Sequence, residues 1–251
     1  MTNQTASINP TVPHADPSAR DRFEPMEGDL SLTNTFDTLL KKPGALLYEL
    51  HLGERDPKRL ILQLLTTSVV CLLVFGFILG FYSGGTQLWA APTKVVLGVF
   101  ASSLITLPSL YVFSCLNGLD VNARTVTGVM AASVCLMSLL LVGLAPVAWI
   151  FSQSTRSIAF FGFLALAFWG IALTFGLGLV FRAARWLGVR RRFHLAIWVA
   201  IFVVVTLQMT TALRPIIGSS DRFLNAEKRF FIGHWLDQLN DSGRFEEPEE
   251  R

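Results

Sequence analysis

Between Leu60 and Leu213 the chain runs through five long apolar stretches, and the one carboxylate among them, Asp120, falls in a connector. A helix needs roughly 20 apolar residues to cross the hydrocarbon core, and each stretch reaches that length. The expected fold is all-α: a polytopic integral membrane protein of five transmembrane helices, with short amphipathic interfacial helices at both ends. The spans are expected at about 60–82, 95–116, 127–151, 158–181 and 193–213. Glycine pairs, Asn117-Gly118 and a serine cluster mark short connectors between the first four, so neighbouring spans run antiparallel.

Only 16% of the residues are charged, against about 25% in an average soluble domain. About half of the 251 residues are needed for the spans, which leaves one membrane domain and two tails. The formal charge of +3 is small and the basic residues cluster beside the membrane, so a nucleic-acid partner is not expected. Cys71, Cys115 and Cys135 all lie within apolar runs, the pattern of small core residues and not of a disulfide framework or a CxxC metal site. The first apolar run begins at Leu60; no cleavable signal peptide is visible, and this run is expected to act as the insertion signal.

Four regions follow along the chain. Residues 1–30 are rich in Pro, Ser, Thr and Asp and nearly free of aliphatic side chains, and are expected to be a disordered cytoplasmic tail. In residues 31–58, Phe36, Leu39 and Leu40, then Leu46, Leu47 and Leu50, recur at helical spacing around Pro43-Gly44. That pattern fits two amphipathic helices lying in the headgroup region; a water-exposed helical hairpin is the alternative. Residues 59–215 form the membrane domain. Residues 216–251 form an external tail in which Asn225 caps a helix carrying Phe231 and Trp235 on one face, before an acidic, disordered end. That aromatic face is expected on lipid or on a partner protein. Tyr82, Trp89, Trp149, Trp186 and Trp198 fall near the ends of the spans, where amphipathic rings favour the interface.

Lysine and arginine beside the spans set orientation. Lys41, Lys42, Arg55, Lys58, Arg59, Arg124, Arg182, Arg185, Arg190, Arg191 and Arg192 fall on one side, eleven in all. Lys94, Arg156, Arg214, Arg222, Lys228 and Arg229 make six on the other. Eleven against six places the N-terminus in the cytoplasm and the C-terminus outside, in the inner membrane if the cell is prokaryotic. Arg185, Arg190, Arg191 and Arg192 are candidate contacts for anionic lipid; a topology signal without a specific lipid is the competing reading.

Lipid tails are as apolar as leucine, so close backbone approach and interhelical hydrogen bonds must hold the spans together. Gly76 and Gly80 make a GxxxG in the first span. Gly162, Gly170, Thr174 and Gly178 recur at multiples of four along the fourth. These glycines are the candidate packing positions. Gly98, Ser102, Thr106 and Ser109 line one face of the second span, as packing groups or as a polar conduit. Pro108 and Pro146 should kink their spans, in an inert bundle or at a gate. Hydroxyls at Thr106 and Ser109 are placed to meet carbonyls near Pro108.

Catalytic constellations are missing. No span carries Asp, Glu, Lys or Arg at its centre, and no HExxH, GxSxG, P-loop or dinucleotide fingerprint occurs. Ser83-Gly84-Gly85-Thr86 lacks a partner histidine, and His194 sits at a span edge as a headgroup or loop contact. No enzyme activity, cofactor or metal is expected.

The layout resembles that of the YIP (Ypt/Rab-GTPase-interacting) family and its prokaryotic relatives. A cytoplasmic tail of about sixty residues, the amphipathic lead-in FDTLLKKPGALLYEL at residues 36–50, five spans and an external C-terminus carry the likeness, over about residues 36–215. The acidic Tyr-Gly-Pro motif of many eukaryotic members is absent, and Phe81-Tyr82-Ser83-Gly84-Gly85 only echoes it. No functional residue is therefore carried over, and the GTPase partner is in doubt. The resemblance implies a non-catalytic membrane organiser that binds protein partners or lipids, or assembles with itself. A transporter or channel subunit working as an oligomer is the alternative.

Overall fold

The computed structural model describes residues 24–53, 55–83, 85, 87–118, 121–154, 158–189 and 193–212. These residues are helical or irregular: α1 (Leu32–Lys41), α2 (Pro43–His51), α3 (Pro57–Ser83), α4 (Gln87–Leu116), α5 (Ala123–Ser154), α6 (Ile158–Trp186) and α7 (Phe193–Ala212). Four of them, α3 to α6, are long and apolar enough to cross a membrane. The protein is thus a helical, multi-pass membrane protein. The fifth expected span corresponds to α7, of which Phe193–Met209 is apolar but shorter than that criterion requires.

Several helices outrun the apolar stretches that announce them. Helix α4 starts eight residues before the expected span, through Pro92 and Lys94, and α6 continues through Arg182 and Arg185 to Trp186. Hydropathy marks where a helix is in oil, whereas the backbone ladder stops where a cap stops it. Asp56 begins α3: its carboxylate accepts the Lys58 N–H at 3.0 Å, with Pro57 in the first turn. Gly188 ends the α6 region at φ +93°, where the N–H groups of Gly188 and Val189 reach the carbonyls of Arg185 and Ala184. That is a Schellman motif, and glycine is there because its φ lies in the left-handed region.

Helix α3 packs between α4 and α5, α6 lies against α5, and α7 lies against α4. Two apolar clusters fill the bundle. One, at the end where α3 begins, joins Leu46, Leu50, Leu64, Ala132, Leu179 and Trp198. The other, towards the opposite end, joins Phe75, Leu79, Val99, Leu141, Phe161 and Phe168.

The lead-in differs from the expected pair of lipid-facing helices. Every residue of α2 from Pro43 to Leu50 except Tyr48 is buried, and α2 touches α3, α5 and α6. Its apolar residues are covered by protein, so α2 is a cap on the bundle. Gly128 in α5 makes this possible: a Cβ there would meet Leu50 Cδ2 at 2.6 Å. Helix α1 buries Thr35, Thr38 and Leu39 and exposes Leu32 and Leu40, so Leu40 stands apart from Leu39, with which the sequence grouped it.

The expected disordered tail reached residue 30, yet residues 24–30 are held against the cap, with Met26 only 3% exposed. Side chains from the folded residues that follow, which the segment's own composition does not show, bond its backbone here. The C-terminal features, including the Asn225 cap, Phe231 and Trp235, lie outside the described residues.

Candidate functional site

The glycines expected to pack helices divide into two groups. Gly76 on α3 meets the backbone of α4: a Cβ there would lie 2.5 Å from Pro92 Cα. Gly80, one turn on, is buried as well. Gly162, Gly170 and Gly178 on α6 are different, because an added Cβ at each has no atom within 4 Å. These three therefore meet no neighbour among the described residues, and packing at them is left to a helix from outside this bundle. The face that does pack runs Phe161, Ala165, Phe168, Ala172, Gly176, Leu179 and Ala183, spaced by threes and fours as a coiled-coil seam is. Gly176 is the close approach, with an added Cβ 3.0 Å from the Ser133 carbonyl on α5. The signal that identifies this face is the Ala172/Gly176 pair, which counts once alanine is treated as a small residue. A search for glycine alone selects a side of α6 that does not face α5.

The hydroxyl face of α4 is turned inward. Ser102 donates to the Gly98 carbonyl at 2.7 Å, Thr106 to Ser102 at 2.7 Å, and Ser109 to Thr106 at 2.8 Å. Ser102 and Thr106 are buried. Each hydroxyl thus bonds a carbonyl three or four residues earlier on its own helix, as isolated hydroxyls in lipid do. Trp198 completes this arrangement. Expected in the interfacial belt, it is instead fully buried, and its indole N–H donates to the Thr106 carbonyl at 3.0 Å. The site lies beside Pro108, where the helix lacks one N–H, and the tryptophan ties α7 to α4. At the end of the same seam, His194 Nδ1 lies 3.2 Å from Asn117 Oδ1, and the ring stacks over Phe113. His194 is therefore a contact between helix ends.

Lys94 also differs from expectation. Assigned by sequence to a connector, it stands in the second turn of α4 and is 2% exposed. Trp89 and Trp149 remain outward-facing, while Tyr82 stacks on Phe161 with ring centroids 4.1 Å apart.

A cleft of about 30 Å³ opens among the ends of α4 to α7, lined by Leu110, Ser114, Thr125, Val126, Val180 and Leu195 among others. That volume takes one or two waters, whereas ligand pockets run to roughly 300–1,000 Å³. Among the described residues, no cluster of three or more His, Cys, Asp or Glu is placed to hold a metal. Of the candidate lipid contacts, Arg185 is exposed in the last turn of α6. Arg190, Arg191 and Arg192 lie outside the described residues.

The most heavily bonded polar site is at the cap. Glu49 on α2 is 6% exposed, and its Oε1 accepts the Met26 N–H at 3.1 Å and lies 3.8 Å from Arg55 Nε. Arg55 Nη2 donates to the Met26 carbonyl at 2.9 Å. Asn34 donates to the carbonyls of Glu27 and Asp29 at 2.8 and 2.9 Å, on either side of Gly28 at φ +82°. Gln63, two turns into α3, donates to the Leu30 carbonyl at 3.2 Å. Sequence reasoning missed this site because Glu49, Asn34 and Gln63 read as ordinary polar positions until the strap lies across them.

No protein-family model matches this chain, and neither a curated protein nor a solved structure matches it.

Proposed function

We propose that the chain is a non-enzymatic membrane scaffold that binds partner proteins or lipids, as the resemblance to YIP-type proteins implies. One observation carries this reading. The hydroxyls of Ser102, Thr106 and Ser109 on α4 are engaged with their own helix backbone, while the small-residue face of α6 at Gly162, Gly170 and Gly178 meets no atom of the described residues. Such a bundle has polar groups that hold it together and an outer surface on which another helix can lie close.

In this reading α7 is the fifth span: its 20 residues extend about 30 Å, and its flank packs along α4. The eleven-to-six basic asymmetry puts the N-terminus and the α1–α2 cap in the cytoplasm. Arg185, exposed in the last turn of α6, then faces the anionic leaflet.

Purification in mild detergent, followed by identification of bound proteins and lipids, tests the function. The expected result is a stoichiometric protein partner or a second copy of the chain. A lone protein stabilised by a particular solute would instead favour the transporter reading.

A further inference from the structure

Residues 24–30 have no regular secondary structure. Their backbone is nonetheless bonded at Met26 N–H, Met26 C=O, Glu27 C=O, Asp29 C=O and Leu30 C=O by side chains of Glu49, Arg55, Asn34 and Gln63, and Asp29 C=O also accepts the Ser31 N–H at 2.8 Å. Recognition of main-chain groups by side chains is indifferent to the sequence recognised. Two positions are selective: Met26 is buried while Glu24, Pro25, Glu27 and Asp29 are exposed, and Gly28 holds φ +82°, where an added Cβ would lie 3.0 Å from Asn34 Nδ2. An irregular backbone, bent at Gly28, clamped from outside and anchored by one apolar side chain, is how a groove holds a short linear motif.

The fit of the strap is also incomplete. Glu49 Oε2 is buried and has no hydrogen-bond partner, and the residue before Met26 is a proline, which has no N–H to offer. A buried carboxylate oxygen without a donor is a cost that the strap leaves in place. An incoming segment that brings a second donor removes that cost.

We propose that the groove formed by α1, α2 and the start of α3 is a docking site for a short peptide segment of a partner protein that carries an unbranched apolar anchor and, two residues on, a glycine. Its own residues 24–30 fill it until a partner's segment exchanges with them. The inference rests on the scaffold reading for the existence of a protein partner. Its test needs only the purified chain, so the two fail separately.

The experiment uses the full chain with its three cysteines replaced, a spin label at Glu27→Cys, and a fluorescent peptide of residues 24–31. Met26→Asp should free the label. It should also raise peptide affinity at least tenfold over the unaltered Met26 chain, the factor that applies if the strap is seated nine-tenths of the time. Adding Glu49→Gln and Arg55→Gln to the freed chain should abolish binding, and a peptide with aspartate in place of methionine should not bind. Met26→Gln is carried in parallel as the milder variant. A mobile label without gain in peptide affinity would overturn the proposal, because the groove would then not accept a peptide in trans. A label that stays immobile in both variants overturns it too, by showing that Met26 is not the anchor. If both variants lose their monodisperse folded form, residues 24–30 are a fixed part of the fold and the proposal fails.

Discussion

Gly76 and Gly170 look alike in the sequence, each a glycine within an apolar helix, but only Gly76 has a backbone against it. Replacing Gly76 by leucine forces α3 away from Pro92, and overpacking of this kind costs about 1–3 kcal/mol. Gly170→Leu meets open space, so the melting temperature of the isolated protein in detergent should be unchanged. Equal losses for both variants would mean that α6 is packed on its outer side as well. Trp198 makes a second residue-scale test. Trp198→Phe keeps most of the ring but removes the donor to the Thr106 carbonyl, for a loss of about 1 kcal/mol, measurable as an earlier thermal transition. The carbonyl keeps the Ser109 hydroxyl as a donor, which limits the loss.

Among the elements, α6 makes the clearest prediction because it has two small-residue faces. Gly176→Leu should destabilise the α5–α6 contact, whereas Gly178→Leu should leave the monomer intact and weaken only association with a partner helix. Thermal melting and size-exclusion elution of the two variants separate these effects. The helices themselves were legible: apolar runs located α3 to α6, and Pro43-Gly44 located the break between α1 and α2. Which way each helix faces was not legible. Hydrophobicity is nearly uniform around a membrane helix, so inward and lipid-facing sides differ only in side-chain size and shape. The period-four glycines of α6 therefore lie off the face that packs on α5, and Trp198 was assigned to an interface. The cap was hidden for a related reason. The fit of Leu50 on Gly128 joins positions 78 residues apart, and no local pattern records it.

At the scale of the whole molecule, the proposed orientation rests on the basic asymmetry and is open to direct test. With five spans and the N-terminus inside, an impermeant thiol reagent on intact cells should label a single cysteine at position 245 and spare one at position 20. The reverse pattern would invert the molecule, and labelling of both or neither would leave an even number of spans. The cap adds a matter of timing to this layout. Ribosomes add about 5–20 residues per second, so Gly128 is made roughly 4–16 seconds after Leu50. Until then the apolar side of α2 has no α5 to cover it. The surface that the sequence identifies as membrane-seeking is needed during that interval, when the nascent α2 must rest on lipid or on a chaperone before its protein cover exists. The fit of Leu50 on Gly128 therefore makes the cap one of the later parts of the bundle to close.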